Sequence, residues 1–362
     1  MSGTRYPAES RWFVDERTGT RIRQVTAAPA INHQPFFFIP AYDDAMRWLF
    51  FVSHRTGSPQ VFAEERATGE LIQLTNHEGL AEWSVHPSHD GQWVYYTAGP
   101  EGWRVSTATC RSEQLTTFGS VAMREHGMVG AAMGTTALSW DDRWWAVKFN
   151  EGTEACLAVV DTVTGEWETI LRRDTIGHQQ FHPQDPTLLF YAGPLNDRVW
   201  MVNRDGTGNR RLYTRRPPEW ITHETWVPHR RELAFVDWPN GMRGIDIDTG
   251  AERTLVTFNA WHGSFRRDGE KVVADTNFPD DGIKLADLGT GEVRTLCHPQ
   301  ATSMGAHWAG PFPYDNGPIE VYAPQHTHPH PSFSPDGAVV VYTSDVSGHA
   351  QVYEAIVEEH AH

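Results

Sequence analysis

The densest chemistry in this sequence lies at Pro324-Gln325-His326-Thr327-His328-Pro329-His330-Pro331-Ser332-Phe333-Ser334-Pro335-Asp336-Gly337. Three histidines and a glutamine fall within six residues. His328 and His330 are two apart, so on an extended segment their side chains share a face. Imidazole nitrogens suit a borderline divalent ion such as Mn, Fe, Co, Ni or Zn. The prolines at 329 and 331 fix backbone angles and pre-order the ligands. The simpler alternative is a polar, His-rich loop that holds nothing.

Four other spacings bear on that choice. His178 lies three residues before Phe181, His223 three before Trp226, His262 three before Phe265 and His330 three before Phe333. A single such histidine is ordinarily structural or incidental. Four at one offset are hard to explain by packing and point to a shared polar site. Arg198, in Asn196-Asp197-Arg198-Val199-Trp200, adds a cation, although alone it reads as a surface arginine.

These residues need elements that bring them together. Seven segments share one layout: an aromatic or apolar residue, an Asp-containing turn, a β-rich run, a second strand, then a turn and a third strand. Strand-rich units repeating at roughly 40–45 residues are the signature of β-propeller blades. Asp-Gly and Thr-Gly pairs, as in Asp90-Gly91 and Thr164-Gly165, supply the positive φ that tight turns need. The sequence therefore predicts an all-β, seven-bladed β-propeller in one domain. In a propeller, points just ahead of the innermost strands ring one mouth of the central channel, which is where the four histidines would meet. The seventh segment lacks an outer strand after Ile356, while Thr18-Gly19-Thr20-Arg21-Ile22-Arg23-Gln24-Val25-Thr26 copies the ending of the first blade. The expected division is a closing strand within 11–30, blades one to six over 35–297, an inserted loop at 298–326, and blade seven over 327–358. A loop as long as 298–326 in a compact domain is usually functional or disordered. Its lead into the histidine motif favours function.

Composition narrows the field. A formal net charge of −16 over 362 residues argues against nucleic acid or an anionic membrane as a partner through a broad basic face. It leaves room for a small acidic substrate in one cationic cleft. No apolar run approaches the length of a membrane span, and no secretory signal opens the chain. Cys110, Cys156 and Cys297 have neither zinc-site nor disulfide spacing. That fits a reducing cytoplasm.

At this point the motifs carry a resemblance. Gln325-x-x-His328-Pro329-His330-Pro331-Ser332-Phe333 and Trp261-His262-Gly263-Ser264-Phe265 resemble those of the oligogalacturonate lyases, seven-bladed propeller enzymes of pectin breakdown. Asn32-His33, Gly177-His178, Arg198-Val199-Trp200, Asp205-Gly206-Thr207-Gly208 and Trp220-Ile221-Thr222-His223-Glu224 are similar too. The resemblance covers nearly the whole chain. It implies one Mn2+ held by His262, Gln325, His328 and His330. It implies His223 as catalytic base and Arg198 as the arginine that binds the substrate. His178 and His33 match further positions of the family, read here as substrate-binding. Gln34-Pro35 after Asn32-His33, and His182, depart from the family pattern and bear on substrate length and fine specificity.

The implied reaction is β-elimination in a short oligogalacturonide, chiefly an unsaturated dimer, releasing a 4-deoxy-5-keto uronate. A base removes the C5 proton of a uronate and the 4-linked oxygen leaves. Cations on the carboxylate stabilise the enolate-like intermediate. The base must be uncharged, and neighbouring cations bias a histidine that way. Two alternatives remain: a non-catalytic propeller scaffold, which shares the Phe-Ser-Pro-Asp-Gly signature but needs no metal ligands, and a lyase or epimerase acting on another uronate oligosaccharide.

Overall fold

The computed structural model describes residues 2–118, 134–277, 279–302 and 327–357. Within them, seven antiparallel sheets of four or five strands form the blades of a propeller. Blade four shows the common order: Gly177–His182 innermost, then Asp185–Ala192, Val199–Asn203 and Arg210–Tyr213 outermost. A 3-10 turn lies at Glu82–Ser84, and among the described residues no helix is long and apolar enough to cross a membrane.

Turn chemistry explains the repeat. In blade three the Asp161 carboxylate accepts from the backbone N–H groups of Val163 and Thr164, at 2.9 and 3.1 Å. Asp246 and Asp287 do the same in blades five and six. Each turn closes on a glycine at positive φ, Gly165, Gly250 and Gly291, where a side chain would be strained. These turns join the outer two strands, Glu154–Asp161 to Trp167–Arg173 in blade three.

The core is divided by the blades. Middle strands such as Trp48–Ser53 are buried on both faces, so they read as apolar runs rather than alternating ones. Each of seven apolar clusters joins two consecutive blades, blade one to two through Phe50, Val61, Val94 and Tyr96 for example. An eighth, Phe36, Phe37, Ile39 and Trp83 with Phe38 against it, belongs to no pair of blades and fills the channel.

The ring closes through the N-terminal segment. Arg21–Gln24 pairs antiparallel with Gln351–Ile356 of blade seven, placing Ile22 opposite Ala355. Behind it, Arg11–Val14 adds a fifth strand, with Trp12 and Phe13 exposed. So the closing element is a hairpin rather than a lone strand. Arg23 fixes it by bonding Glu354 at 2.9 Å and Glu64 of blade one, all three side chains being buried. Blade one begins at Asn32–His33, ahead of residue 35, and takes Arg5–Tyr6 as its outermost strand. Residues 303–326, Gln325 among them, lie outside the described residues.

Candidate active site

Three of the four histidines in register, His178, His223 and His262, share one backbone device. In blades four, five and six the pairing of the innermost strand with its neighbour slips between Gly177 and Gln180, Thr222 and Thr225, and Ala260 and Gly263. A β-bulge re-aims the side chain it carries. His178, His223 and His330 sit at φ of 49°, 47° and 46°, uncommon for a non-glycine residue and a mark of functional sites when the surroundings enforce it. Each bulge turns an imidazole towards the channel mouth.

There the rings meet. His262 lies 4.2 Å from His223 and 4.1 Å from His330 between ring centroids, and His328 is 5.7 Å from both His262 and His330. His178 stands 6.1 Å from His223. Below them is the aromatic plug: Phe36 is 4.7 Å from His330 and 5.2 Å from His178, and Phe37 is 5.3 Å from His262. All five histidines are at least nine-tenths buried. The plug keeps water from beneath the rings and separates them from a cavity of about 540 Å³ towards the far ends of the innermost strands, lined by Phe181, Trp226, Phe265 and Phe333. Its lining includes polar side chains of its own, among them His86, His182 and Arg267, but none of the five histidines of the mouth.

His262, His328 and His330 each offer a nitrogen, all within 4.8 Å of one another. His262 is oriented by Asp275, which accepts its Nδ1–H at 2.8 Å and its backbone N–H at 2.6 Å. A carboxylate behind a histidine in this way leaves Nε2 as the ligand. The Nε2 of His330 is buried with no hydrogen-bond partner among the described residues. A cation would satisfy it, and three imidazoles suit a borderline divalent metal. The residues present therefore fit a metal ion. The fourth expected ligand, Gln325, lies outside the described residues.

His223 is buried and its Nδ1 lies 2.5 Å from the carbonyl oxygen of Trp261. Burial first, then His262, His178 and Arg198, push its pKa well below the ordinary imidazole value. Arg198 is not a surface residue: it is buried, gives its Nε–H to Glu224 at 2.6 Å, and turns Nη2 to His178 Nδ1 at 3.0 Å. Its Nη1 makes no hydrogen bond among the described residues. Burial alone would raise the Glu224 pKa, but Arg198 and His178 outweigh it and hold the carboxylate below its usual range.

His33 reaches the same mouth from blade one. Its ring packs on Trp83 at 4.5 Å, and Trp83 touches His330 at 5.8 Å. His33 and His54 both bond Glu82, at 3.3 and 2.7 Å, and these hydrogen bonds outweigh burial to hold that carboxylate well below its usual range. Four contributors escaped sequence reasoning: Asp275, Glu224, the aromatic plug, and Gln34. The Gln34 amide donates to the carbonyls of Pro329 and His330, both at 2.9 Å, and ties blade one to the ligand segment. Asp275 sits in no motif; Glu224 closes the Trp220–Glu224 motif and Gln34 was noted as a departure from pattern, but nothing marked the role of either.

Comparison with known proteins follows the same lines. Residues 2–250 match the family described as oligogalacturonate lyase. An oligogalacturonate lyase of Dickeya dadantii is 27% identical over 96% of this chain and 96% of its own. An oligogalacturonide lyase of Pectobacterium atrosepticum is 27% identical over 99% of this chain and 98% of its own. Two solved structures share the fold. An oligogalacturonate lyase from Vibrio parahaemolyticus has a TM-score of 0.82 at 21% identity, covering 99% of each chain. An oligogalacturonate lyase in complex with manganese has a TM-score of 0.83 at 22% identity, covering 99% of this chain and 98% of its own.

Proposed function

The chain belongs to the oligogalacturonate lyase family, and we propose that it cleaves short oligogalacturonides, chiefly the unsaturated dimer, by metal-dependent β-elimination to a 4-deoxy-5-keto uronate. The observation that carries this reading is the convergence, over an apolar plug, of three metal-ligand histidines with a fourth, His223, outside the ligand set. A scaffold propeller has no use for that arrangement.

In this reading His262, His328, His330 and Gln325 hold the ion, and manganese is the proposed ion, as in the manganese complex of similar fold. When bound, the metal withdraws charge from the uronate carboxylate and so acidifies C5–H. His223 takes the C5 proton. The Trp261 carbonyl accepts from Nδ1, because a carbonyl cannot donate, so Nε2 carries the lone pair. Its lowered pKa keeps that lone pair unprotonated. Arg198 meets the carboxylate through its remaining Nη1 edge, while His33 and His178 bind the rest of the substrate. The free state of Cys110, Cys156 and Cys297 supports a reducing compartment, the cytoplasm.

The test is a panel of uronate oligosaccharides followed by the ultraviolet absorbance of the unsaturated product, with and without chelator. Digalacturonates should give product fastest and chelation should abolish it. No unsaturated product from any galacturonide by the metal-loaded enzyme would refute the reading.

A further inference from the structure

Two neighbouring histidines of this site, His178 and His223, have opposite partners. His223 Nδ1 contacts a carbonyl oxygen, which only accepts, so its proton is on Nδ1. His178 Nδ1 contacts Arg198 Nη2 at 3.0 Å. A guanidinium only donates, so that nitrogen must carry the lone pair and the His178 proton must be on Nε2. The other group near this Nδ1, Glu224 Oε2, is 3.9 Å away, beyond hydrogen-bonding distance. Glu224 instead holds Arg198 in place through Oε1 at 2.6 Å. An imidazolium at 178 would set two N–H groups against each other. Burial, with Arg198 and His262, also takes the His178 pKa down to about 4 against the pull of Glu224. His178 is thus a neutral imidazole with its proton on the ring edge away from the Arg198–Glu224 pair, and that Nε2 makes no hydrogen bond among the described residues.

Elimination needs a proton acceptor at C5 and a proton donor at the departing oxygen. The first is His223. We propose that His178 is the second, donating its Nε2 proton to O4 as the glycosidic bond breaks. This rests on the β-elimination reading above. The C5–H bond breaks and its proton goes to His223 Nε2. The pair it leaves forms the C4=C5 double bond, the C4–O4 bond breaks with its electrons on O4, and O4 takes the proton from His178. The imidazolate so formed is countered by the Arg198 N–H on Nδ1 and regains its proton from water, as His223 returns its own to water. No oxidant or co-reactant is needed. A neutral imidazole fixed at a developing oxyanion is an adequate electrophile because its dipole is aimed before reaction begins. His178 thereby becomes a catalytic residue, and Arg198, besides meeting the carboxylate, a positioning residue that sets its tautomer.

The test uses the leaving group. His178→Ala should lower kcat on digalacturonate by roughly 10²- to 10³-fold, yet lose less than about tenfold on an analogue carrying fluoride at C4, which departs without proton transfer. His178→Gln, with an amide N–H near the lost Nε2–H, should recover part of the digalacturonate rate. It also carries the comparison if the alanine variant does not fold. Ring 15N shifts of His178 should report the Nε2–H tautomer in the wild type and a mixture in Arg198→Met, a change that a purely structural arginine would not cause. Equal losses on both substrates, or no loss on digalacturonate, would overturn the proposal while leaving β-elimination standing. A wild type that forms no unsaturated product would instead overturn the parent reading.

Discussion

Asp275→Asn changes one buried atom and should disable the metal site. The carboxylate now accepts two N–H groups of His262, at Nδ1 and at the backbone. An asparagine offers one acceptor and one donor in the same space. With its NH2 towards Nδ1, the imidazole must move its proton to Nε2, where it occupies the ligand position. With its NH2 towards the backbone N–H, two donors collide in a side chain that is only 3% exposed. Either way one strong interaction is lost. Outer partners of this kind are worth 10- to 100-fold in metal affinity, about 1.4–2.7 kcal/mol. Competition against a chromophoric chelator measures the dissociation constant directly. Turnover should fall at limiting metal and recover largely as metal is raised, because His223 is untouched. An Asp275→Asn protein that folds and binds metal within threefold of wild type would show that His262 is not oriented as the geometry requires.

His223→Ala should retain metal and fold while losing turnover by roughly two to four orders of magnitude, the usual worth of a positioned general base; a near-normal rate in the metal-loaded variant would remove His223 from that role. His330→Ala should lose bound metal and activity together, read by elemental analysis of protein purified without a His tag. Arg23→Met strands Glu64 and Glu354 with only Arg66 as counter-ion, so chemical denaturation should show a loss of several kcal/mol, near the ~3–5 kcal/mol of a broken buried pair. His86 and His178, both buried with pKa about 4, make stability fall as pH drops: below the ordinary imidazole pKa the unfolded chain takes protons that the folded one refuses. The loss begins near pH 6.5, reaches about 2 kcal/mol per histidine at pH 5, and levels off below their folded values; a flat denaturation midpoint from pH 7 to 5 would contradict it.

The propeller was legible because its turns are written in local chemistry. An Asp that caps the turn and a Gly at positive φ recur at fixed places, as at Asp161 and Gly165, and no distant residue is needed to form them. The register of the histidines was legible for a related reason, since each bulge lies at a fixed offset before the aromatic residue of the innermost strand. The N-terminal closing strand could be read as a copy of the blade-one ending, but not the second strand Arg11–Val14 behind it, whose exposed Trp12 and Phe13 carry no burial pattern. The roles of Asp275, Glu224 and Gln34 were not legible because they exist only across strands or blades, although Glu224 lies in the His223 motif and Gln34 marked a departure from pattern. Arg198 read as exposed because nothing local marks its partner.

What the sequence could not carry is the chemical difference between equivalent positions. At His178, His223 and His262 the register is the same and the innermost strand slips in each. What differs is the atom behind Nδ1: a guanidinium for His178, a carbonyl for His223 and a carboxylate for His262. A guanidinium leaves a proton on Nε2, a carbonyl leaves a lone pair, and a carboxylate leaves a lone pair backed by negative charge. Those are the needs of a proton donor, a base and a metal ligand in turn. A repeated fold can therefore supply several distinct groups from one residue type by varying what lies behind the ring, because that partner belongs to another strand or turn, of the same blade or the next, and changes independently of the register.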